Sequence, residues 1–172
     1  MGFLLLLPFF LVRFGLLSLL SKNAVKRAAY FAPILKKEKA AYWVYQISNA
    51  AIFLCMFFLK IKDMPPVLFY TGIAVYSGGI IVLAVSVINF ASPSESGINQ
   101  NGIYRISRNP MYMAYFIVFL GCVLLTQSIS LLVLVLIFQI AAHWIIRSEE
   151  RWCMEQFGEI YLQYMKKVRR YF

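Results

Sequence analysis

Acidic side chains are scarce in this chain: seven Asp and Glu stand against 17 Lys and Arg, for a formal net charge of +10. Histidine occurs once, as His143. The three cysteines, Cys55, Cys122 and Cys153, lie in or beside apolar runs and form no CxxC pair. Neither a disulfide framework nor a metal centre is expected, and the cysteines read as small buried hydrophobes. Internal repeats and low-complexity linkers are missing as well. Charged residues make up 14% of the chain, well below the roughly one quarter usual in soluble domains.

What is present is apolar surface, 62% of the 172 residues, gathered in long blocks. A membrane-crossing helix takes about 20 mostly apolar residues. Five blocks approach that length: Phe3–Leu20, Tyr42–Leu59, Val67–Ile88, Met111–Leu125 and Ile129–Ile146. The expected fold is all-α, an integral membrane helical bundle of five transmembrane helices with an amphipathic C-terminal cytosolic helix. One domain covers 1–172, with 1–90 as a three-helix membrane anchor and 91–172 as a loop, a helical hairpin and the C-terminal helix. The first block lacks a basic start and a small-residue cleavage site, and Arg13 interrupts it, so it reads as a retained helix. Leu6 stands where N-myristoylation requires Ser or Thr.

The positive charge alternates along the chain. Lys22, Lys26, Arg27, Lys36, Lys37 and Lys39 crowd the first connection, against Glu38 alone, while the fourth connection, Thr126–Ser128, carries no charge. The third connection holds Arg105 and Arg108, and the tail is again basic. This is the positive-inside pattern of a multi-pass protein rather than the footprint of a nucleic-acid partner. It predicts an N-terminus outside, with the first connection, the third loop and the C-terminus in the cytosol. The basic Lys166–Arg170 run would also favour anionic headgroups of membrane lipids.

Local signals refine the helices. Gly72, Gly79 and Ser86 repeat at seven-residue spacing in the third block, a stripe on which a neighbouring helix can approach closely. Met111–Leu125 would be roughly 22 Å long at 1.5 Å per residue, short for a hydrocarbon core of about 30 Å. With Thr126-Gln127-Ser128 as a short polar turn, the last two helices are expected to form a tight hairpin. Beyond Glu149, Trp152, Phe157, Ile160, Tyr161 and Tyr164 alternate with charges at helical spacing, as in a helix packed over the hairpin mouth.

Two polar features flank the hairpin. Residues Ser92–Asn109 form a loop that ends on Asn109-Pro110, a favoured N-cap followed by a favoured first helical residue. Such a helix end presents free N–H groups to an anion. At the other end of the hairpin stand Glu149 and Glu150. An anion receptor facing a carboxylate suits a free amino acid group, its carboxylate on the helix end and its ammonium on the glutamate. His143 shares a helix face with Arg147 and is best placed for a packing or interfacial hydrogen bond.

The stretch from about Asn89 to Phe172 resembles the isoprenylcysteine carboxyl methyltransferase and phospholipid methyltransferase superfamily. The resemblance is carried by Gly102, Tyr104, Arg108, Pro110, Tyr112, Glu149-Glu150, Phe157-Gly158, Tyr161, Tyr164, Val168 and Arg170, in that order. It implies S-adenosyl-L-methionine as methyl donor, with S-adenosyl-L-homocysteine as product. The cofactor contacts it implies fall on Asn89, Ser96, Gly97, Ile98, Asn99, Tyr104, Asn109, Pro110, Met111, Tyr112 and Glu149. The implied acceptor is a lipophilic small molecule, lipid or prenylated substrate entering from the bilayer, with Arg147 or Glu150 orienting it. Two departures stand out. Asn109 replaces the family's usual histidine and cannot take up a proton near neutral pH. Ile145 occupies the position of the arginine that prenylcysteine enzymes carry four residues before the cofactor glutamate. Carboxyl O-methylation is the leading expectation and phospholipid N-methylation its competitor. An NADPH-dependent membrane reductase and a non-enzymatic membrane protein are the readings from other classes.

Overall fold

The computed structural model describes residues 1–30, 32–94 and 97–172. Its helices are α1 (Gly2–Leu20), α2 (Lys22–Ala29), α3 (Lys39–Phe58), α4 (Pro66–Ala91), α5 (Pro110–Thr126) and α6 (Ile129–Lys167). No strand occurs among the described residues, and the fold is an all-α membrane bundle. Helices α1, α3, α4 and α6 are long and apolar enough to cross a membrane, and α5 is a shorter apolar helix beside them. Large apolar side chains such as Leu19, Trp43, Phe58, Val67, Ile81, Ile129 and Ile140 point outward, as a lipid-facing surface requires.

The helix ends follow from local chemistry. Ser21 closes α1 in an extended conformation, and its hydroxyl accepts from Ala24 N to cap α2. That short amphipathic helix, rich in Lys and Arg, is not foreseen by hydropathy, because it is neither long nor apolar. Prolines open α4 and α5 at positions that need no backbone donor. Gln127, in the left-handed region at φ 48°, ends α5, and Ser128 caps α6 by accepting from Leu131 N. The first part of the C-terminal segment, residues 149–157, continues the preceding helix, and the separate C-terminal helical segment starts only after Gly158. The break comes only at Gly158 (φ 52°, ψ −128°), after which the chain folds back over the loop.

In a bilayer, helices associate through close packing rather than by escaping water. The closest pair is α4 with α5. A Cβ on Gly79 would lie 2.7 Å from Val118 N, and one on Gly121 would lie 2.5 Å from Tyr76 Cα. The seven-residue stripe of Gly72, Gly79 and Ser86 is buried on this contact. Helix α6 packs mainly on α3, while α5 and α6 approach each other less despite their tight turn. The hairpin therefore splays. Between its arms and α1 lies an aromatic core that includes Phe9, Phe119 and Phe138.

The two ends of the bundle differ. At one, Gly2 N donates to Leu59 O and Lys62 N to Leu125 O, tying chain start and turns together. At the other, α2, the loop after α4, and the segment after Glu149 gather over the opening of the splay.

Candidate active site

The loop after α4 is held from below and above. Asn89 Oδ1 accepts from Ile103 N at 2.9 Å, and Asn101 Nδ2 donates to Ser92 O at 2.8 Å. Gly102 adopts φ +51°, and a Cβ there would fall 2.0 Å from Asn89 Oδ1, so the close fit itself demands glycine. From above, Tyr164 Oη donates to Tyr104 O at 2.7 Å, and Ile98 packs with Tyr161, Tyr164 and Val168. Burial pushes the Tyr104 phenol well above its usual range, and the Tyr115 and Tyr164 phenols add to that, so it stays neutral.

A polar knot joins loop and tail. Glu150, only 3% exposed, accepts from Arg108 Nη2 at 2.8 Å and from Arg170 Nη2 at 2.7 Å. Arg108 Nη1 also donates to Met165 O and Val168 O, and Arg108 N to Arg169 O. Asn109 stands at the N-cap position of α5, but its side chain does not cap the helix. Instead Nδ2 reaches Glu150 Oε1 and Arg170 O at 3.4 and 3.3 Å. The sequence shows every member of this knot without showing that they meet.

Glu149, one residue earlier and about 100° round the helix, faces elsewhere. It is half-buried and accepts a hydrogen bond from Tyr112 Oη at 2.7 Å. No arginine or lysine forms an ion pair with it among the described residues. It borders a cavity of about 700 Å³ that starts under the loop and runs down between the splayed helices. Above Glu149 the walls are Gly97, Ile98, Asn99 and Tyr104; further in stand Tyr45, Tyr112 and Tyr115, with Phe9, Phe53, Phe119 and Phe138 deeper. The Tyr45 and Tyr112 rings lie 6.4 Å apart and the Tyr112 and Tyr115 rings 6.0 Å apart, both edge to face.

Of the residues singled out in the sequence, Gly97, Ile98, Asn99, Tyr104, Asn109, Met111, Tyr112, Glu149 and Glu150 line this one cavity. Ser96 lies outside the described residues. Asn89 supports the loop from beneath and Pro110 is the buried first residue of α5; neither lines the cavity. Arg147 is exposed, with its guanidinium 5.1 Å from the Trp144 ring, and is not on the cavity wall. His143 bonds Tyr171 Oη through Nδ1 at 2.7 Å and pins the chain end to α6. Sequence reasoning missed the contributions of the first half, chiefly Arg13, Tyr45, Phe9 and Phe53. Arg13 carried a signal, as a lone charge inside an apolar helix.

The chemistry on offer is that of a cation receptor joined to a greasy slot. An unpaired carboxylate beside three tyrosine rings attracts ammonium or sulfonium charge. Asn99 adds an amide oxygen that is buried with no partner among the described residues, an acceptor awaiting a donor.

No curated protein and no solved structure matches the chain. Residues 67–160, more than half of the chain, match the model of the phospholipid methyltransferase family. That stretch begins in α4, contains the whole loop and both arms of the splayed hairpin, and ends just past Gly158. With its membrane bundle and a cavity bordered by both arms, the chain belongs to the phospholipid methyltransferase family, within the superfamily of membrane methyltransferases that also holds the isoprenylcysteine carboxyl enzymes.

Proposed function

We propose that the protein transfers a methyl group from S-adenosyl-L-methionine to a lipophilic acceptor drawn from the bilayer. One observation carries this reading: loop, tail and hairpin residues converge on a single cavity that is polar under the loop and aromatic at membrane depth. The residues fit the donor. Glu149 would take the ammonium of its amino acid part, the Tyr45, Tyr112 and Tyr115 rings its sulfonium, and Asn99 Oδ1 a hydroxyl or amine of the nucleoside. The basic first connection and tail support a cytosolic position for the loop end and an outside N-terminus.

When bound, the donor supplies a methyl group already activated by positive sulfur. That methyl group would pass to a lone pair of the acceptor, with the carbon–sulfur electron pair remaining on sulfur as a neutral thioether. The protein's share is positioning and exclusion of water. Tyr112 steadies Glu149 through its hydrogen bond, the loop covers the polar end, and the deep aromatic rings receive the acceptor's chain. Glu150 and Arg108 hold loop and tail together.

The cavity wall carries no histidine, and His143 is engaged with Tyr171 outside it. This favours an acceptor that is already a nucleophile, such as a carboxylate, and so an isoprenylcysteine-type O-methylation. N-methylation of a phospholipid amine is the second reading, favoured by the description of the matching family. Calorimetric titration with S-adenosyl-L-homocysteine tests the cofactor, and micromolar binding is expected. Incubating membranes with methyl-labelled donor and identifying the labelled product separates O- from N-methylation. Absence of both binding and transfer would end the methyltransferase reading.

A further inference from the structure

Helix α1 carries one charge, Arg13, about two turns before its end. A guanidinium at that depth is costly unless it reaches water, a partner or a ligand. The helix is altered where it sits: Leu11–Leu16 is π-helical, an arrangement that inserts a residue and re-aims side chains, often beside functional sites. Arg13 is half-exposed and lines the cavity.

Its partners are all neutral groups. Nη2 donates to Ala28 O at a long 3.3 Å, the Phe14 ring centroid is 5.7 Å from its Cζ, and the Tyr115 hydroxyl lies within hydrogen-bonding reach of the guanidinium. No carboxylate pairs with Arg13 among the described residues. The other cavity-lining arginines are more firmly held. Arg108 is locked on Glu150, and Arg27 donates to Phe90 O at 2.6 Å with its guanidinium over the Phe90 ring. Glu149 lines the same cavity, and no ion pair joins it to Arg13. A carboxyl and a guanidinium thus line one cavity, each half-buried and neither in an ion pair among the described residues.

The geometry points to Arg13 as the specificity-determining residue that pairs with an anionic oxygen group on the acceptor, next to the aromatic slot for its chain. This inference rests on the methyl-transfer reading. The loop side, with Asn99, Tyr104 and Glu149, serves the donor. Arg13 comes from α1, beside Phe9 and Phe14, where a molecule arriving from the bilayer presents its head. A guanidinium forms two parallel hydrogen bonds with a carboxylate or a phosphate, and a neutral lipophile would leave it unpaired. The same pairing serves a carboxylate that is itself methylated and a phosphodiester next to the methylated group.

The test uses the full chain in neutral-lipid nanodiscs saturated with S-adenosyl-L-homocysteine. Dodecyl phosphate, dodecanoate and dodecanol are titrated by calorimetry against empty discs. The wild type should bind one or both anions at least tenfold more tightly than dodecanol. A preference for phosphate identifies a phosphodiester acceptor, and one for dodecanoate a carboxylate. Arg13→Gln should erase that difference, and Arg13→Lys should keep part of it. Both should bind S-adenosyl-L-homocysteine as the wild type does. Removing a charge from an apolar helix does not oppose membrane insertion, and retained cofactor binding verifies folding. With the identified acceptor, Arg13→Gln should raise KM far more than it lowers kcat. Equal binding of anions and dodecanol by the wild type, or an unchanged preference in Arg13→Gln, overturns the inference while the methyl-transfer reading stands. Loss of S-adenosyl-L-homocysteine binding in Arg13→Gln, with Arg13→Lys still binding it, overturns it by placing Arg13 in the donor's pocket. Failure of the wild type to bind S-adenosyl-L-homocysteine removes the methyl-transfer reading, and the inference with it.

Discussion

Glu149 and Glu150 are adjacent in sequence and opposite in surroundings. Glu150 is sealed between Arg108 and Arg170 and joins three segments that would otherwise separate. Glu149 has a tyrosine hydroxyl for company and an open cavity in front of it. One residue of helical rotation, about 100°, separates a structural carboxylate from one poised to bind. A paired buried charge holds a fold together at little net gain. An unpaired carboxyl at a cavity edge is poised to bind a cation.

The comparison breaks most sharply at Glu150. Glu150→Ala leaves Arg108, 7% exposed, without its carboxylate, and should cost about 3–5 kcal/mol of stability. Thermal unfolding in nanodiscs should show a large fall in Tm, together with early protease cleavage of the tail. Glu149→Gln should behave in the reverse way. Tm should stay near that of the wild type, while affinity for S-adenosyl-L-homocysteine falls roughly 10- to 150-fold, the equivalent of a charged hydrogen bond worth about 1.5–3 kcal/mol. Equal losses of stability in the two variants would dissolve the distinction.

How far the sequence anticipates this depends on the kind of signal. The apolar blocks, the α4 stripe and the loop-to-tail motif are local patterns, and the helices, the α4–α5 contact and most of the cavity's polar wall follow from them. The splay of α5 from α6 is a packing outcome that no run of residues encodes. Once the arms open, α1 and α3 become cavity walls, and a half that reads as plain anchor supplies Arg13 and Tyr45. The amphipathic tail is legible from Trp152 to Tyr164. Its continuity with α6 is not, because the break falls on Gly158 and nothing earlier stops the helix. Asn109 shows the opposite failure: its type and place promise a side-chain cap, yet tertiary partners across the knot take the amide instead.

The loop offers a gentler way to sharpen the contrast between support and binding. Gly102→Ala places a Cβ against Asn89 in a left-handed conformation and should strain the loop by about 1–3 kcal/mol. Cofactor affinity should weaken several-fold, with a modest fall in Tm. Gly78→Ala, where a Cβ meets nothing within 4 Å, should change neither. If both substitutions are silent, the loop is not held as tightly as the Asn89 contact implies.

The smallest effect belongs to a second acid–arginine pair. Glu38 hydrogen-bonds Arg151, which also donates to Pro33 O, and Tyr30 packs on Trp152 at 5.2 Å. These contacts fasten the first connection to α6 beside the cavity mouth. The hydrogen bond from Arg151 holds the Glu38 carboxyl below its ordinary range, outweighing the opposing effect of burial. A lowered folded-state value means that the pair stabilises fully above the unfolded carboxyl value of about 4.3 and fades as pH falls through the lower folded value. Both side chains are partly exposed, so the contribution should be under about 1 kcal/mol. With Trp43 and Trp144 replaced by Phe, Trp152 fluorescence should change reversibly below about pH 4 as the connection loosens. Arg151→Met should remove that transition. If the transition survives the substitution, a different carboxylate governs the acid response and the contact between the first connection and α6 does not depend on this pair.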